Sequence, residues 1–306
     1  MELLVSILIS TAVAATPLVF AATGELVAER AGVLNLGVEG MMVIGAIAAF
    51  STLVGAGSFA LALVAAMAAS AMMAALFGLL TLTLRANQVA SGLALTMFGL
   101  GLSALWGQGY SGHSVPAFPR LDLPVLSGIP VLGRLLFAHD LLLYLSIALV
   151  ALVAWMLAHT RIGLILRAVG ENHDAAHAIG FPVIAVRYGA LLFGGALAGL
   201  GGAYLSLVQI PIWAEKLTAG RGWIALALVV FASWRPWRVL IGAYLFGGIT
   251  ILQLHSQALG VKIDAQILSM LPYLATIAVL VIISRDKLRA GLTAPACLGK
   301  PFHAPS

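Results

Sequence analysis

The chain has 306 residues, of which 62% are hydrophobic and only 9% are charged, and its formal net charge is +5. Soluble domains are about 45–50% apolar and about 25% charged, so this composition excludes a soluble globular protein and indicates a polytopic membrane protein. The single cysteine, Cys297, excludes a disulfide framework within the chain. The Lys and Arg residues are scattered between apolar runs, which favours the charge bias of membrane loops over nucleic-acid binding.

Long continuous apolar runs predict an all-α, polytopic bundle of roughly 8–10 transmembrane helices, because only a helix satisfies its own backbone groups in hydrocarbon. The first run has no Lys or Arg before it, which favours a retained span over a cleaved signal peptide. The seventh run is short for a span, so a tilted or broken helix is expected there. The helices are predicted at about 3–23, 40–55, 58–84, 88–108, 141–158, 188–208, 222–234, 238–256 and 266–284.

Lys and Arg residues are distributed unevenly between the connecting segments. Eleven of the 16 fall on one side, which the positive-inside rule assigns to the cytoplasm, together with the C-terminus. The segments on that side are 24–39, 85–87, 159–187, 234–238 and 285–306. The other side then holds the N-terminus and a long outside loop at about 109–140.

The stretch from Gly24 to Gly45 interrupts the apolar pattern with charged and amide side chains between closely spaced glycines. An ionisable side chain at the centre of a span costs about 2.5–3.5 kcal/mol, so such residues are candidates for function. Asn35 and Glu39 are four residues apart, which would place them on one face of a helix. They are candidates for lining a translocation pathway, and the alternative is a solvated surface turn.

Three polar residues at the start of the fourth helix are further candidates for the pathway, namely Asn87, Gln88 and Ser91. Their side chains could hydrogen-bond a polar solute, but helix capping explains them equally well. No Walker-type phosphate loop, His-Glu-x-x-His motif or metal-ligating cluster occurs in the sequence, so no catalytic or metal site is predicted.

The connection at about 159–187 contains a short predicted helix. Gly170 is expected to break the chain, and Glu171 and Asn172 supply capping groups. A helix of about two turns then follows from His173, and Gly180 and Pro182 end it. Such a helix has little to bury within its own chain, which favours docking into another protein, although an ordinary connecting loop is the alternative.

With these stretches in view, the chain resembles the permease subunits of bacterial ABC importers, and within them the nucleoside-type group related to the ribose and branched-chain amino acid permeases. The matching motifs follow the family's order along nearly the whole chain. They are E-R-A-G-V-L-N-L-G-V-E-G-M-M at 29–42, R-A-V-G-E-N-H-D-A-A-H-A-I-G at 167–180, G-A-L-A-G-L-G-G-A-Y-L-S at 195–206, T-A-G-R-G-W-I-A-L-A-L-V at 218–229 and A-C-L-G-K-P-F at 296–302.

The resemblance implies a single transmembrane permease domain over 1–306 in the bacterial cytoplasmic (inner) membrane. Its expected partners are an ABC ATPase subunit, a second related permease in a heterodimer and an extracytoplasmic substrate-binding protein. No cofactor is expected on this chain, since ATP and Mg would bind the partner ATPase. The residues that match the family's ATPase-coupling segment are Arg167, Gly170, Glu171, Asn172, Asp174, Ala175, His177 and Gly180.

The implied function is ATP-driven import of nucleosides or related purine compounds by alternating access. The alternatives are a permease for simple sugars or another small polar solute and, from a different class, an ion-coupled secondary transporter. The sequence departs from the family at His173, where a proline usually follows Glu-Asn. A histidine with an ordinary pKa near 6.5 would carry partial charge there.

Overall fold

A computed structural model describes residues 2–119, 137–258 and 294–303, with single positions between them at 121, 133, 135, 270, 274, 277, 278 and 281. The helices in these ranges are α1 Glu2–Arg30, α2 Val38–Ala56, α3 Phe59–Gly78, α4 Gln88–Gly107, α5 Leu141–His159, α6 Arg161–Glu171, α7 His173–Ala178, α8 Val183–Tyr204, α9 Arg221–Phe231 and α10 Pro236–Ala258. A π-helical turn extends α3 to Thr83, and another extends α8 to Gln209.

Seven of the helices in the described ranges are long and apolar enough to cross a membrane, and α9 is a shorter apolar helix. The prediction of an all-α polytopic bundle is therefore confirmed. Most of the predicted ninth helix at 266–284 lies outside the described residues. The predicted outside loop at 109–140 is described mainly at its two ends.

The helices begin where polar side chains replace the missing backbone acceptors of the first turn. Each of these N-terminal residues accepts a hydrogen bond from the backbone N–H three residues later, which contributes about 1 kcal/mol per cap. The capping residues are Ser58 for α3, Asn87 for α4, Asp140 for α5, Thr160 for α6 and Asn172 for α7. Asn87 thus takes the capping role that was one of its two predicted alternatives.

Helices α1, α2 and α8 form the centre of the bundle. They contact one another, α3 packs on α2 and α8, and α10 packs on α1. Helix α2 is buried over nearly its whole length, from Val38 to Leu53. Helices α4 and α5 lie further out and expose large apolar side chains, such as Met97 on α4 and Leu152 on α5. These exposed faces are the surface expected towards lipid or another membrane subunit.

Glycines let the central helices approach closely. A Cβ added at Gly45 of α2 would lie 2.5 Å from Cα of Gly199 on α8, and one added at Gly24 of α1 would lie 2.8 Å from the carbonyl oxygen of Gly194. Hydrocarbon supplies no hydrophobic driving force between membrane helices, so close packing of small residues holds them together. The Gly- and Ala-rich sequence at 195–206 therefore has a packing role.

The ends of α1 and α6 differ from the predictions in ways that tertiary contacts explain. The first helix does not end at residue 23 but continues to Arg30, and in its last turns Glu25 accepts from the N–H of Asn35 and Glu29 from the indole N–H of Trp234. Gly170 does not break the chain but lies inside α6. A Cβ at Gly170 would collide with the carbonyl oxygen of Arg30, so this glycine allows α6 to touch the end of α1.

Replacement of Gly202 by alanine should destabilise the bundle. An added Cβ would collide with the carbonyl oxygen of Met42 on α2, and overpacking of this kind costs about 1–3 kcal/mol. The matched control is Gly189→Ala on the same helix, where an added Cβ meets no atom within 4 Å. The unfolding temperature of the purified protein should fall for Gly202→Ala and stay unchanged or rise for Gly189→Ala. Equal unfolding temperatures would contradict this packing.

Candidate functional site

Residues 31–37 connect α1 to α2 inside the bundle, and their backbone is held by groups from distant parts of the chain. Arg187 donates to the carbonyl of Ala31, and the backbone N–H of Gly299 donates to the carbonyl of Gly32. Further along, Gln88 accepts from the N–H of Leu34, Glu25 accepts from the N–H of Asn35, and Thr96 donates to the carbonyl of Leu36. Non-helical backbone at such a depth is tolerated because these partners satisfy it.

The predicted pathway residues Asn35, Gln88 and Ser91 are all buried, whereas Asn87 is exposed. The Asn35 side chain accepts from the N–H of Gly37, 3.0 Å away, and so shapes the turn into α2. The Gln88 oxygen accepts from the N–H of Leu34 at 2.8 Å. The structure therefore places Asn35 and Gln88 in support of the 31–37 connection.

Glu39 lies in the first turn of α2 and is only 3% exposed. One carboxylate oxygen accepts from the Thr218 hydroxyl and from the N–H of Gly220 at 2.9 Å, and the other accepts from the N–H of Gly222 at 2.6 Å. Hydrogen bonds to a charged group contribute about 1.5–3 kcal/mol each. The carboxylate thus meets the N-terminus of α9, where the helix dipole favours negative charge.

The backbone around Gly222 is shaped for this contact. A Cβ at Gly222 would lie 2.5 Å from both Cα and N of Glu39, so only glycine allows the start of α9 to approach the start of α2. Gly220 has a φ of +82°, a conformation that glycine adopts without strain. In T-A-G-R-G at 218–222, a tertiary contact therefore requires Gly222, and the backbone conformation favours Gly220.

Contacts with neighbouring helices place Glu39 at mid-height in the bundle. Ser70, near the middle of the helix that runs from Phe59 to Thr83, donates to the carbonyl of Met41 at 2.7 Å. A Cβ at Gly99, near the middle of α4, would lie 2.8 Å from Cα of Gly40. Helix α2 therefore begins near the centre of its neighbours, and so does α9.

Helix α9 has 11 residues, which at about 1.5 Å per residue covers about half of a 30 Å hydrocarbon core. The segment before α9 starts at the end of the bundle away from α7, where Trp213 packs against Phe50 with ring centroids 5.9 Å apart. After α9, Trp234 donates its indole N–H to Glu29 and its carbonyl accepts from Arg30 at 2.8 Å. The predicted seventh span is thus a half-length helix that runs from mid-height to the end of α1.

The structure confirms the predicted short helix, α7 at His173–Ala178. Asn172 caps it, and Gly180, with a φ of +93°, ends it. The residues from His173 to Ile179 divide between two faces. Asp174 and Ala175 are exposed together with Ile179, whose side chain is 71% exposed, whereas His173 and Ala176 are buried.

Arg187 connects α7 to the centre of the protein. Its side chain is only 1% exposed and donates to the carbonyls of Ala31 and Lys300 and to Nδ1 of His173, at 3.1, 3.0 and 3.2 Å. A buried guanidinium requires several acceptors, and here all three are neutral groups from different segments. Arg187 therefore ties α7, the 31–37 connection and the C-terminal segment to α8.

His173 serves as an acceptor for Arg187 and must be neutral at Nδ1 to do so. Burial and the neighbouring Arg187 guanidinium lower the pKa of His173 below its ordinary value, although Asp174 acts in the opposite direction. This environment therefore favours the neutral form of His173 over the partly charged form that the sequence predicted.

The C-terminal segment 294–303 covers the inner face of α7. Phe302 stacks edge-on against His173 and His177, each with centroids 5.3 Å away. The N–H of Cys297 donates to the carbonyl of Gly170 at 2.9 Å. The prediction that α7 has little to bury within its own chain is therefore only half right, because one face packs on this segment.

Several of these residues were not identified from the sequence as site residues. In the sequence, Arg187 counted only as one of the positive charges that set the topology. An arginine at the start of an apolar helix nevertheless indicates that buried hydrogen-bond acceptors lie nearby. Thr218 carries no such signal, because a threonine in a loop is common. Its partner Glu39 is 179 residues away in the sequence.

Replacement of Glu39 by glutamine should loosen the start of α9. Glutamine keeps the size but removes the charge and turns an NH₂ group towards a backbone donor, a loss of about 1–3 kcal/mol. Hydrogen exchange at 218–224 should accelerate, and the unfolding temperature should fall. The matched control is Glu215→Gln in the same loop, where the side chain is exposed. Equal exchange in both variants would show that the Glu39 contacts do not stabilise α9.

Comparison with known proteins places this architecture in a family. The profile described as "Branched-chain amino acid transport system / permease component" matches residues 7–282. A Haloferax volcanii protein provisionally named a glucose ABC transporter permease is 40% identical over 99% of each chain. The guanosine ABC transporter permease of Bacillus subtilis is 34% identical over 91% of this chain and 92% of its own length.

The nucleoside ABC transporter permease of Lactococcus lactis is also 34% identical, over 87% of this chain and 88% of its own length. No solved structure matches the chain significantly. The profile and these full-length similarities agree with the seven apolar helices. The chain therefore belongs to the branched-chain amino acid transport system permease family and is an integral membrane permease subunit of an ABC transporter.

Proposed function

We propose that this permease moves nucleosides or related purine compounds inward. The observation that supports this substrate class is the similarity to two permeases named for nucleosides and guanosine, each covering most of both chains. Uptake would be powered by ATP and Mg bound to a separate ATPase subunit. A substrate-binding protein outside the membrane would deliver the solute.

A simple sugar is the second candidate substrate. The relative with 40% identity is provisionally named a glucose permease, and its similarity covers 99% of this chain. Nucleosides and sugars both carry a polyhydroxylated ring without net charge. A translocation pathway that binds its solute weakly would therefore need few different side chains to pass one class instead of the other. Selectivity would then rest mainly on the binding protein.

The expected assembly pairs this chain with a second, related permease in the bacterial cytoplasmic membrane. The end of the bundle that holds α7 is proposed to face the cytoplasm, since Arg30, Arg85, Arg167 and Arg235 lie at this end. The C-terminal segment packs beside α7 and would lie on the same side.

The exposed face of α7 is the proposed contact with the ATPase. Ile179 projects from the end of this helix and is 71% exposed, an unusual exposure for a large apolar side chain at a solvated surface. Asp174 and Ala175 share the exposed side, whereas His173 and Ala176 attach α7 to the protein. Because α7 is attached in this way, movement of an ATPase groove against its exposed face would move the rest of the permease as well.

The contacts of Arg187 and Glu39 suggest how that movement reaches the middle of the membrane. Arg187 joins His173 to the carbonyl of Ala31, at the start of the 31–37 connection. That connection leads into α2, where Glu39 holds the start of α9. We propose that α7, the connection and α9 shift together during alternating access, so that Glu39 acts by positioning α9.

Replacement of Ile179 by serine should weaken binding to the partner ATPase about 10-fold or more, because burial of an isoleucine contributes about 1.5–3 kcal/mol. The measurement is co-purification with the ATPase and the transporter-dependent ATPase rate. Ile162→Ser on α6 is the matched control, since Ile162 is also exposed, at 63%, but lies outside α7. Unchanged co-purification of Ile179→Ser would exclude α7 as the docking element.

Transport assays distinguish the substrate classes. The complete transporter, reconstituted in vesicles with its ATPase and binding protein, should take up guanosine in an ATP-dependent manner. Unlabelled nucleosides should compete, and glucose should not. Uptake of glucose alone would reject nucleosides in favour of the second candidate. Gradient-driven uptake by this chain without an ATPase would reject ATP-driven transport and support an ion-coupled mechanism.

A further inference from the structure

A cleft of about 510 Å³ opens at the arginine-rich end of the bundle. We call it the arginine cleft, and it lies between the ends of α1 and α5, helix α6 and the turn from α9 to α10. Arg30, Arg167 and Arg235 line it, together with small residues of α5 such as Ala154 and Ala158. It lies apart from the Glu39 contacts at mid-height and from the exposed face of α7.

The three arginines are not neutralised by ion pairs. In the described part of the chain, no carboxylate oxygen lies within 4 Å of any of them. Arg30 donates Nε and Nη2 to the carbonyl of Trp234, and Arg167 donates Nε to the carbonyl of Gly163 at 3.3 Å. Their remaining guanidinium N–H groups, and those of Arg235, stay available for another acceptor. The nearby acid Glu171 is exposed and acts on Arg30 only through its field.

The mouth of the cleft has the chemistry of a membrane–water interface. Trp155 and Trp237 line it and are 57% and 52% exposed, which fits the interfacial belts formed by amphipathic indole rings. Such rings usually mark the level of lipid headgroups. The guanidinium groups of the cleft therefore lie where a lipid phosphate would be found.

Apolar surface continues from the cleft along both of its walls. On α5, Leu152 and Leu145 follow Trp155 on one face, and on α10, Ile241 and Leu245 follow Trp237 on one face. Helices α5 and α10 contact each other, and both exposed stripes begin at indole rings that line the same cleft. An occupant that satisfies both parts has an anionic head and long apolar chains.

We propose that the arginine cleft binds the phosphate of an anionic phospholipid, whose acyl chains lie along α5 and α10. Arg167 and Arg235 supply the unpaired donors, and Arg30, held by Trp234, adds positive charge at the inner wall. Guanidinium groups suit phosphate because they present parallel N–H donors. The bound lipid would join α6, which precedes the α7 contact, to the turn that ends α9.

The test is retention of phosphatidylglycerol against phosphatidylcholine by the purified full chain, measured by native mass spectrometry after exchange into mixed micelles. The wild-type chain should retain phosphatidylglycerol preferentially, and Arg235→Gln should reduce that retention about fivefold, the effect of one arginine near an anionic lipid. Arg167→Gln should have a similar effect. The matched control is Arg238→Gln, an exposed arginine outside the cleft that should retain the wild-type preference.

Three results would overturn the proposal. Equal losses of phosphatidylglycerol retention in Arg235→Gln and Arg238→Gln would show that general surface charge, not the cleft, attracts the lipid. Displacement of the lipid by millimolar inorganic phosphate would assign the cleft to a soluble anion. Complete displacement by the partner ATPase would assign it to the subunit interface. Unfolding temperatures of all variants distinguish loss of lipid from loss of folding.

Discussion

Glu39 places a carboxylate at mid-height in the bundle, where water cannot solvate it, and the surrounding backbone is arranged to replace that water. The donors are the Thr218 hydroxyl, the N–H of Gly220 just before α9 and the N–H of Gly222 in its first turn. Since helix dipole and hydrogen bonds act in the same direction, one charge holds the beginnings of two helices together. The half-length form of α9 depends on this contact, because a helix that starts inside a membrane protein needs an acceptor for its first N–H groups.

Arg187 performs the complementary task at the arginine-rich end. It is a buried cation whose acceptors are two carbonyls and a neutral imidazole, so its charge is satisfied without a carboxylate. The two residues lie at opposite ends of the 31–37 connection. Arg187 donates to the carbonyl of its first residue, and Glu39 follows shortly after its last residue. An ABC permease must transmit movement from a cytoplasmic surface to its interior, and a short connection fixed at both ends is suited to that task.

The exposed surfaces differ between parts of the chain, and the proposed neighbours differ with them. Ile179 is exposed at the end of α7, and α4 and α5, which are long and apolar enough to cross a membrane, expose large apolar side chains. The arginine cleft lies between these regions, and both arginines and exposed indole rings line it. Partner protein and lipid would therefore act on adjoining elements, since α6 continues into α7.

The sequence by itself determined the helices and many of their ends, because long apolar runs and N-terminal caps such as Asn87 and Asn172 are local properties. The short helix after Asn172 was predictable for the same reason. Tertiary structure alone decided the roles of Gly170, Arg187 and Glu39. Gly170 lies within a helix, where its missing Cβ admits the end of α1, and Glu39 faces donors 179 to 183 residues away. Whether a polar residue in an apolar chain faces a solute or a backbone amide depends on which segments fold against it, and local sequence carries no record of those long-range contacts.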